Sequence, residues 1–87
     1  FTADWCITCK ANERLVLADP EVEAALARGA RFVADWTRRD DRIRAALAAH
    51  GKGGVPLYLV YRPGDAAPEI LPELLSKERV LRALAGR

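Results

Sequence analysis

The sequence predicts an α/β fold in which a mixed β-sheet is flanked by helices, and three observations carry that reading. Residues 31–36 alternate, with Phe32, Ala34 and Trp36 on one face and Arg31, Val33 and Asp35 on the other, the period of a half-buried strand. The segments run in the order strand end, helix, helix, strand, helix, strand, strand, helix. Strand-helix-strand connections require parallel pairing through right-handed crossovers, while the close spacing of the last two strands makes a hairpin. Finally, a Cys-x-x-Cys pair, Cys6 and Cys9, sits where the first strand passes into the first helix.

Each element has a local cause. Phe1, Thr2 and Ala3 read as the end of a strand, and the lead-in Asp4-Trp5-Cys6 opens a helix over 7–18, with Leu15, Val16 and Ala18 toward a core and Lys10, Asn12, Glu13 and Arg14 toward water or a site. Asp19-Pro20 restarts the chain as a second helix: Asp caps, Pro fits the first helical position, and Glu21 and Glu23 favour the positive end of the dipole. That helix is expected to stop at Gly29. After the 31–36 strand, Asp40 or Asp41 caps a helix with Ile43, Ala46, Leu47 and His50 on one stripe, ended by Gly51-Lys52-Gly53-Gly54. Strands follow at 55–61 and 69–72, separated by a turn in 62–67 that contains Pro63-Gly64. Ser76 caps a last helix over 77–85 whose buried stripe is Val80, Leu81 and Leu84.

A chain of 87 residues makes one domain with a modest core. Lys and Arg total 14 against 12 Asp and Glu, a formal charge of +2, which is too balanced to advertise a polyanionic partner. The basic cluster Arg38, Arg39, Arg42 and Arg44 is interleaved with Asp40 and Asp41 and reads as a charge-laced helix start, so no nucleic-acid partner is expected. The longest apolar run, 55–61, contains a Pro and falls far short of the roughly 20 residues of a transmembrane helix. The chain starts at Phe1 with no basic or apolar leader, so the start reads as a cut inside a longer protein.

Two cysteines three residues apart cannot join distant segments, so they are chemistry before they are architecture. At a helix start, the first-turn N–H groups and the helix dipole favour a thiolate at Cys6. Cys9, one turn on, is close enough to attack a mixed disulfide formed on Cys6. Metal binding is the alternative chemistry, since Cys-x-x-Cys is half of a zinc site, but only His50 could join the two thiolates. His50 lies on the apolar stripe of its helix beside a glycine terminator, where a packed or helix-capping imidazole is the simpler role.

Phe1-Thr2-Ala3-Asp4-Trp5-Cys6-Ile7-Thr8-Cys9-Lys10 resembles the active-site segment of thioredoxin-fold proteins, and Gly54-Val55-Pro56 resembles their second landmark, the cis-proline opposite the cysteines. The lead-in to Cys6, Asp19-Pro20-Glu21-Val22 and Asp35-Trp36-Thr37 are most similar to the C-terminal domain of the DsbD family of thiol:disulfide interchange proteins, with its copper-sensitivity-suppressor relatives. The resemblance implies a thioredoxin-like domain over 1–87 that lacks the family's N-terminal strand and helix and most of its central strand.

It also implies a protein-disulfide reductase that relays two electrons from a membrane-embedded donor domain of the same protein to periplasmic disulfide proteins. No cofactor is implied beyond the redox-active disulfide Cys6–Cys9, and the domain is expected to be monomeric and periplasmic. By the same resemblance Cys6 is the exposed nucleophile and Cys9 the resolving thiol. The resemblance further implies that Pro56 is cis, leaving the Val55 backbone to pair with an extended partner segment. Glu13, four residues after Cys9, matches a family carboxylate able to disfavour the thiolate and accept its proton, against the plainer role of a solvated helix residue. Asp4 and Trp5 frame the groove. Trp36 either lines the partner surface or packs as a core aromatic, and Lys10 either aids the thiolate or is a solvated surface cation. Ile7-Thr8 stands where thioredoxin has Gly-Pro, a difference that bears on redox potential. A stand-alone thioredoxin-like oxidoreductase and a metal-handling Cys-x-x-Cys module are the rival readings.

Overall fold

The computed structural model describes residues 1–64 and 66–85. Its helices are α1 (Ile7–Asn12), α2 (Pro20–Leu26), α3 (Asp41–Ala49) and α4 (Lys77–Leu84), and its regular strands are β1 (Leu59–Val60) and β2 (Glu69–Ile70). A π-helical stretch, Glu13–Leu17, continues α1. Among the described residues no helix is long and apolar enough to cross a membrane.

The helix starts follow their caps. The Asp19 carboxylate accepts the Glu21 and Val22 N–H groups at 2.9 and 3.4 Å, and Pro20 occupies the first helical position. Asp40 accepts from Arg42 and Ile43 at 2.8 and 3.2 Å, and the Ser76 hydroxyl accepts from Arg79 at 3.2 Å. At the far end of α3 the His50 ring Nδ1 lies 2.9 Å from the Ala46 carbonyl, and Gly51 adopts φ 75° to leave the helix. His50 is thus a capping imidazole. α2 ends at Leu26, three residues before the expected stop at Gly29, and the chain turns through to that glycine.

The first helix departs from its expected phase. At the π-helical stretch the Ala18 N–H donates to the Glu13 carbonyl at 3.0 Å, an i to i+5 bond. The wider turn breaks the 3.6-residue period on which the burial pattern was read. Val16 is buried, but Leu15 is 77% exposed and Ala18 faces solvent. Asn12, expected toward water or a site, is enclosed instead. Its Nδ2 donates to the Tyr58 hydroxyl at 3.0 Å and the Glu73 carbonyl at 2.7 Å, and its Oδ1 accepts the Leu75 N–H at 3.0 Å. These three bonds satisfy the buried amide.

The sheet is mixed, but its regular strands are shorter than expected. β1 and β2 pair antiparallel, Leu59 opposite Ile70 and Val60 opposite Glu69, which is the hairpin. Beyond β1 the ladder bonds continue through Leu57, which exchanges N–H···O bonds with Phe1 at 2.8 and 3.4 Å. On its other side the same N-terminal segment pairs in parallel with residue 35: Thr2 N–H donates to the Ala34 carbonyl at 2.9 Å and Trp36 N–H to the Thr2 carbonyl at 2.7 Å.

The 31–36 strand does not form as a strand. Its ladder bonds reach only Ala34, and among the described residues no segment pairs with residues 30–33. Without a ladder neighbour the alternation has nothing to pack on, and Phe32 is 92% exposed.

The pleat sorts the core into two sides. Leu57 and Leu59 pack with Trp36 and Leu47, on the side of α3, while Tyr58 and Val60 pack against Val16, Val22, Leu71, Leu75, Val80 and Ala83, on the side of α2 and α4. The α4 stripe is Val80 and Ala83, with Leu81 and Leu84 partly buried beside them. Helices on both faces of one sheet are the architecture the order of elements predicts. Ala3, Cys6, Cys9 and Val55 gather at one end of it.

Candidate active site

Cys6 is the N-cap of α1, with extended backbone (φ −91°, ψ 105°), and its sulfur accepts the Cys9 N–H at 3.1 Å. Sequence dictates this much: Ala3-Asp4-Trp5-Cys6 forms a turn closed by Cys6 N–H to the Ala3 carbonyl at 3.1 Å, and α1 begins at the next residue. Cys6 and Cys9 are joined as a disulfide, their Cα atoms 5.2 Å apart. Both cysteines are buried, Cys9 at 0% exposure and Cys6 at 8%, so the residue expected to be the exposed nucleophile keeps only a small accessible edge, while Cys9 has none. An N–H already aimed at the Cys6 sulfur, together with the dipole of the first turn, stabilises a thiolate there when the pair is reduced.

Opposite the cysteines the Val55–Pro56 peptide is cis and Pro56 is buried. Val55 packs on Ala3, Cys6 and Cys9, and also on the core of Trp36, Leu47 and Leu57. Among the described residues its main-chain N–H and C=O form no hydrogen bond.

The other rim carries aromatic and charged groups. Trp5 is 45% exposed, whereas Trp36 is 4% exposed within the core, and the two ring centroids lie 5.8 Å apart at 58°. Trp36 therefore underlies Trp5. The Arg39 guanidinium sits 4.5 Å from the Trp5 centroid and 5.5 Å from that of Trp36.

Asp4 is exposed and meets Lys10 Nζ at 3.4 Å, and the same ammonium lies 3.6 Å from Glu13. Lys10 thus bridges two carboxylates. Such exposed pairs contribute about 0–1 kcal/mol each. Glu13 Oε2 accepts the Thr2 hydroxyl at 2.7 Å, so the carboxylate proposed for proton transfer is tied to the strand end that leads into the cysteines.

Of the residues expected at the site, Cys6, Cys9 and Val55 pack in one cluster and Asp4 and Trp5 lie beside Thr37. Trp36, expected either on a partner surface or in the core, is a core aromatic packed with Leu47 and Leu57. The sequence pattern alone assigns no site role to Thr37 or Arg39. Thr37 holds Asp4 and Trp5, and Arg39 covers the Trp pair from a left-handed backbone (φ 54°). One signal was available: Asp35-x-Thr37 is the spacing at which an Asp side chain accepts the N–H two residues on. Hydrogen bonds from the Thr37 hydroxyl and N–H hold the Asp35 carboxyl below its ordinary value.

A Cys-x-x-Cys disulfide at a helix N-terminus, packed against the residue that precedes a cis-proline, defines a class, and the chain belongs to the thioredoxin-like family, whose model matches residues 1–63. Within it, the chain is similar to thiol:disulfide interchange proteins. It is 40% identical over 62 residues to DsbD 1 of Pseudomonas aeruginosa, covering 71% of this chain and 10% of that protein. It is 39% identical over 69 residues to DsbD of Ralstonia nicotianae (78% and 11%), and 36% identical over 59 residues to DsbD of Escherichia coli (68% and 10%). The chain thus spans about a tenth of the length of these relatives.

Proposed function

We propose that this chain is a protein-disulfide reductase domain, which takes two electrons from a membrane-embedded donor domain of the same protein and passes them to periplasmic disulfide proteins. The observation that carries the exchange chemistry is the unequal Cys6–Cys9 pair at the start of α1. The similarity to thiol:disulfide interchange proteins, of which this chain spans about a tenth, supports exchange chemistry within a larger protein.

In the reduced domain the Cys6 thiolate attacks one sulfur of a substrate disulfide, and the other substrate sulfur leaves as a thiolate and takes a proton. Cys9 then loses its proton and attacks the Cys6 sulfur, which breaks the mixed disulfide and releases the second substrate thiol. The substrate gains two electrons and two protons, and the domain is left with the Cys6–Cys9 disulfide. Reduction of that disulfide by the donor dithiol completes the cycle. Glu13 is the carboxylate nearest in sequence for the Cys9 proton, and its tie to Thr2 fixes it beside α1. An extended substrate segment pairs with the main-chain groups of Val55, which form no hydrogen bond among the described residues, a contact that reads backbone and so admits several partners. Trp5 supplies exposed apolar surface beside the reacting sulfur.

Trapping tests this reading. Cys9→Ser, mixed with a disulfide-bonded protein, is expected to accumulate a mixed disulfide through Cys6, whereas Cys6→Ser accumulates none. Equal trapping by both variants, or by neither, contradicts the assignment.

A further inference from the structure

The turn that presents Cys6 is held from the side by a loop to which the exchange chemistry assigns no part. Asp4 N–H donates to the Thr37 hydroxyl oxygen at 2.9 Å, and the Trp5 indole Nε1–H donates to the Thr37 carbonyl at 3.0 Å. Thr37 is itself anchored: its N–H donates to Asp35 Oδ1 at 2.9 Å, and its hydroxyl donates to the same oxygen. A hydroxyl that donates to a carboxylate is a better acceptor for a third group, so the Asp35–Thr37–Asp4 chain is mutually reinforcing. The anchor is tied in turn to the sheet, because residue 35 lies in the parallel pairing with Thr2.

These bonds fall on the two residues immediately before the nucleophile. The backbone of Asp4 and Trp5 sets where Cys6 leaves the turn, and hence where its sulfur points. Disulfide exchange needs the attacking sulfur held at a defined approach to the sulfur it attacks, and small displacements of a reacting group lower rate steeply. We propose that Thr37 is a positioning residue for thiol–disulfide exchange: anchored on Asp35, it fixes Asp4 and Trp5 so that the Cys6 sulfur meets an incoming disulfide at a set angle. Arg39 reinforces the same loop from above, its guanidinium against both indoles. This inference rests on the exchange reading given above.

The test compares the reduced full chain with Thr37→Val and Thr37→Ser, measuring the rate at which Cys6 attacks a small aromatic disulfide across pH. Thr37→Val is expected to lower the high-pH plateau rate about fivefold, the loss of one hydrogen bond from the oriented state. The midpoint of its pH profile is expected to stay in place, because the Asp35 charge remains. Thr37→Ser restores the hydroxyl and is expected within about twofold of wild type. A Thr37→Val plateau equal to wild type overturns the proposal, as does a Thr37→Ser plateau as low as that of Thr37→Val.

Hydrogen exchange on the unsubstituted chain decides independently of folding in the variants. Protection of the Asp4 amide and the Trp5 indole N–H is expected, and exchange of both at unstructured-peptide rates overturns the proposal. A wild-type chain that attacks no disulfide defeats the exchange reading instead, and hydrogen exchange then still decides whether Thr37 holds the turn.

Discussion

The two rims of the cysteine pair are built on opposite principles. On one side Asp4 and Trp5 are bound to Thr37, Lys10 bridges Asp4 and Glu13, and Arg39 covers the indoles. On the other, Val55 packs its side chain on the cysteines and leaves its main-chain groups unbonded among the described residues. A rim whose hydrogen bonds are spent internally can orient a nucleophile but has little left to offer a partner. The other rim is the reverse: peptide groups without a bond among the described residues favour a partner that supplies one. The difference separates aiming the sulfur from accepting the substrate.

Removing the sulfur itself has the largest expected effect. Cys6→Ser is expected to abolish disulfide reduction altogether, measured as insulin turbidity with a chemical reductant, while Cys9→Ser keeps a single stoichiometric attack. Turnover by Cys6→Ser would dissolve the distinction between the sulfurs.

At the end of α1, Asn12→Ala removes an amide that satisfies Leu75 N–H, the Glu73 carbonyl and the Tyr58 hydroxyl. It is expected to cost about 2–4 kcal/mol in urea unfolding, since buried partners are left unpaired. A cost under about 1 kcal/mol would mean that the network is not buried as described.

The comparison of the rims is sharpened by titrating the oxidised chain with an extended peptide and following backbone amides by NMR. The Val55 amide is expected to shift and the Asp4 amide to stay in place. Equal shifts would erase the division of labour.

Arg39→Gly is expected to change stability by less than about 1 kcal/mol, because the relief of a left-handed non-glycine residue offsets the lost cation–π contact. Trp fluorescence, by contrast, is expected to change on the braced rim.

The smallest effect is in acid. The Asp35 pKa is depressed by its bonds to Thr37, so its contribution is fully present above the ordinary Asp pKa and is lost as pH falls through the lowered one. Trp5 emission is therefore expected to be flat from neutral pH down to the ordinary carboxylate range and to change only below it. A transition near neutrality would contradict this assignment.

What could be read from the sequence was what depends on neighbours along the chain. Asp19-Pro20, Asp40 and Ser76 start their helices because a cap bonds N–H groups two or three residues away. Cys6 begins α1 for the same reason, which is why the reactive pair was legible with its geometry. Where the outcome depended on distant partners, local pattern misled. The alternation at 31–36 is that of a strand, but Phe32 and Val33 are exposed because no ladder forms there. Leu15 turned to solvent where the π stretch at 13–17 widens the helix, whereas Asn12, three residues after buried Cys9 on the same face of α1, is enclosed because its amide meets the distant Tyr58, Glu73 and Leu75. Thr37 escaped notice because its partners are more than thirty residues away in sequence. Its Asx-type spacing after Asp35 marks a turn without saying what the turn holds.

The central claim, that the Cys6–Cys9 pair donates electrons, is tested most directly by its reduction potential, measured by equilibrating the intact chain with glutathione buffers. A reductase relay predicts a value toward the thioredoxin end of the scale, about −270 mV, and below about −200 mV in any case. A potential near about −120 mV, that of a dedicated disulfide-forming oxidant, would contradict it.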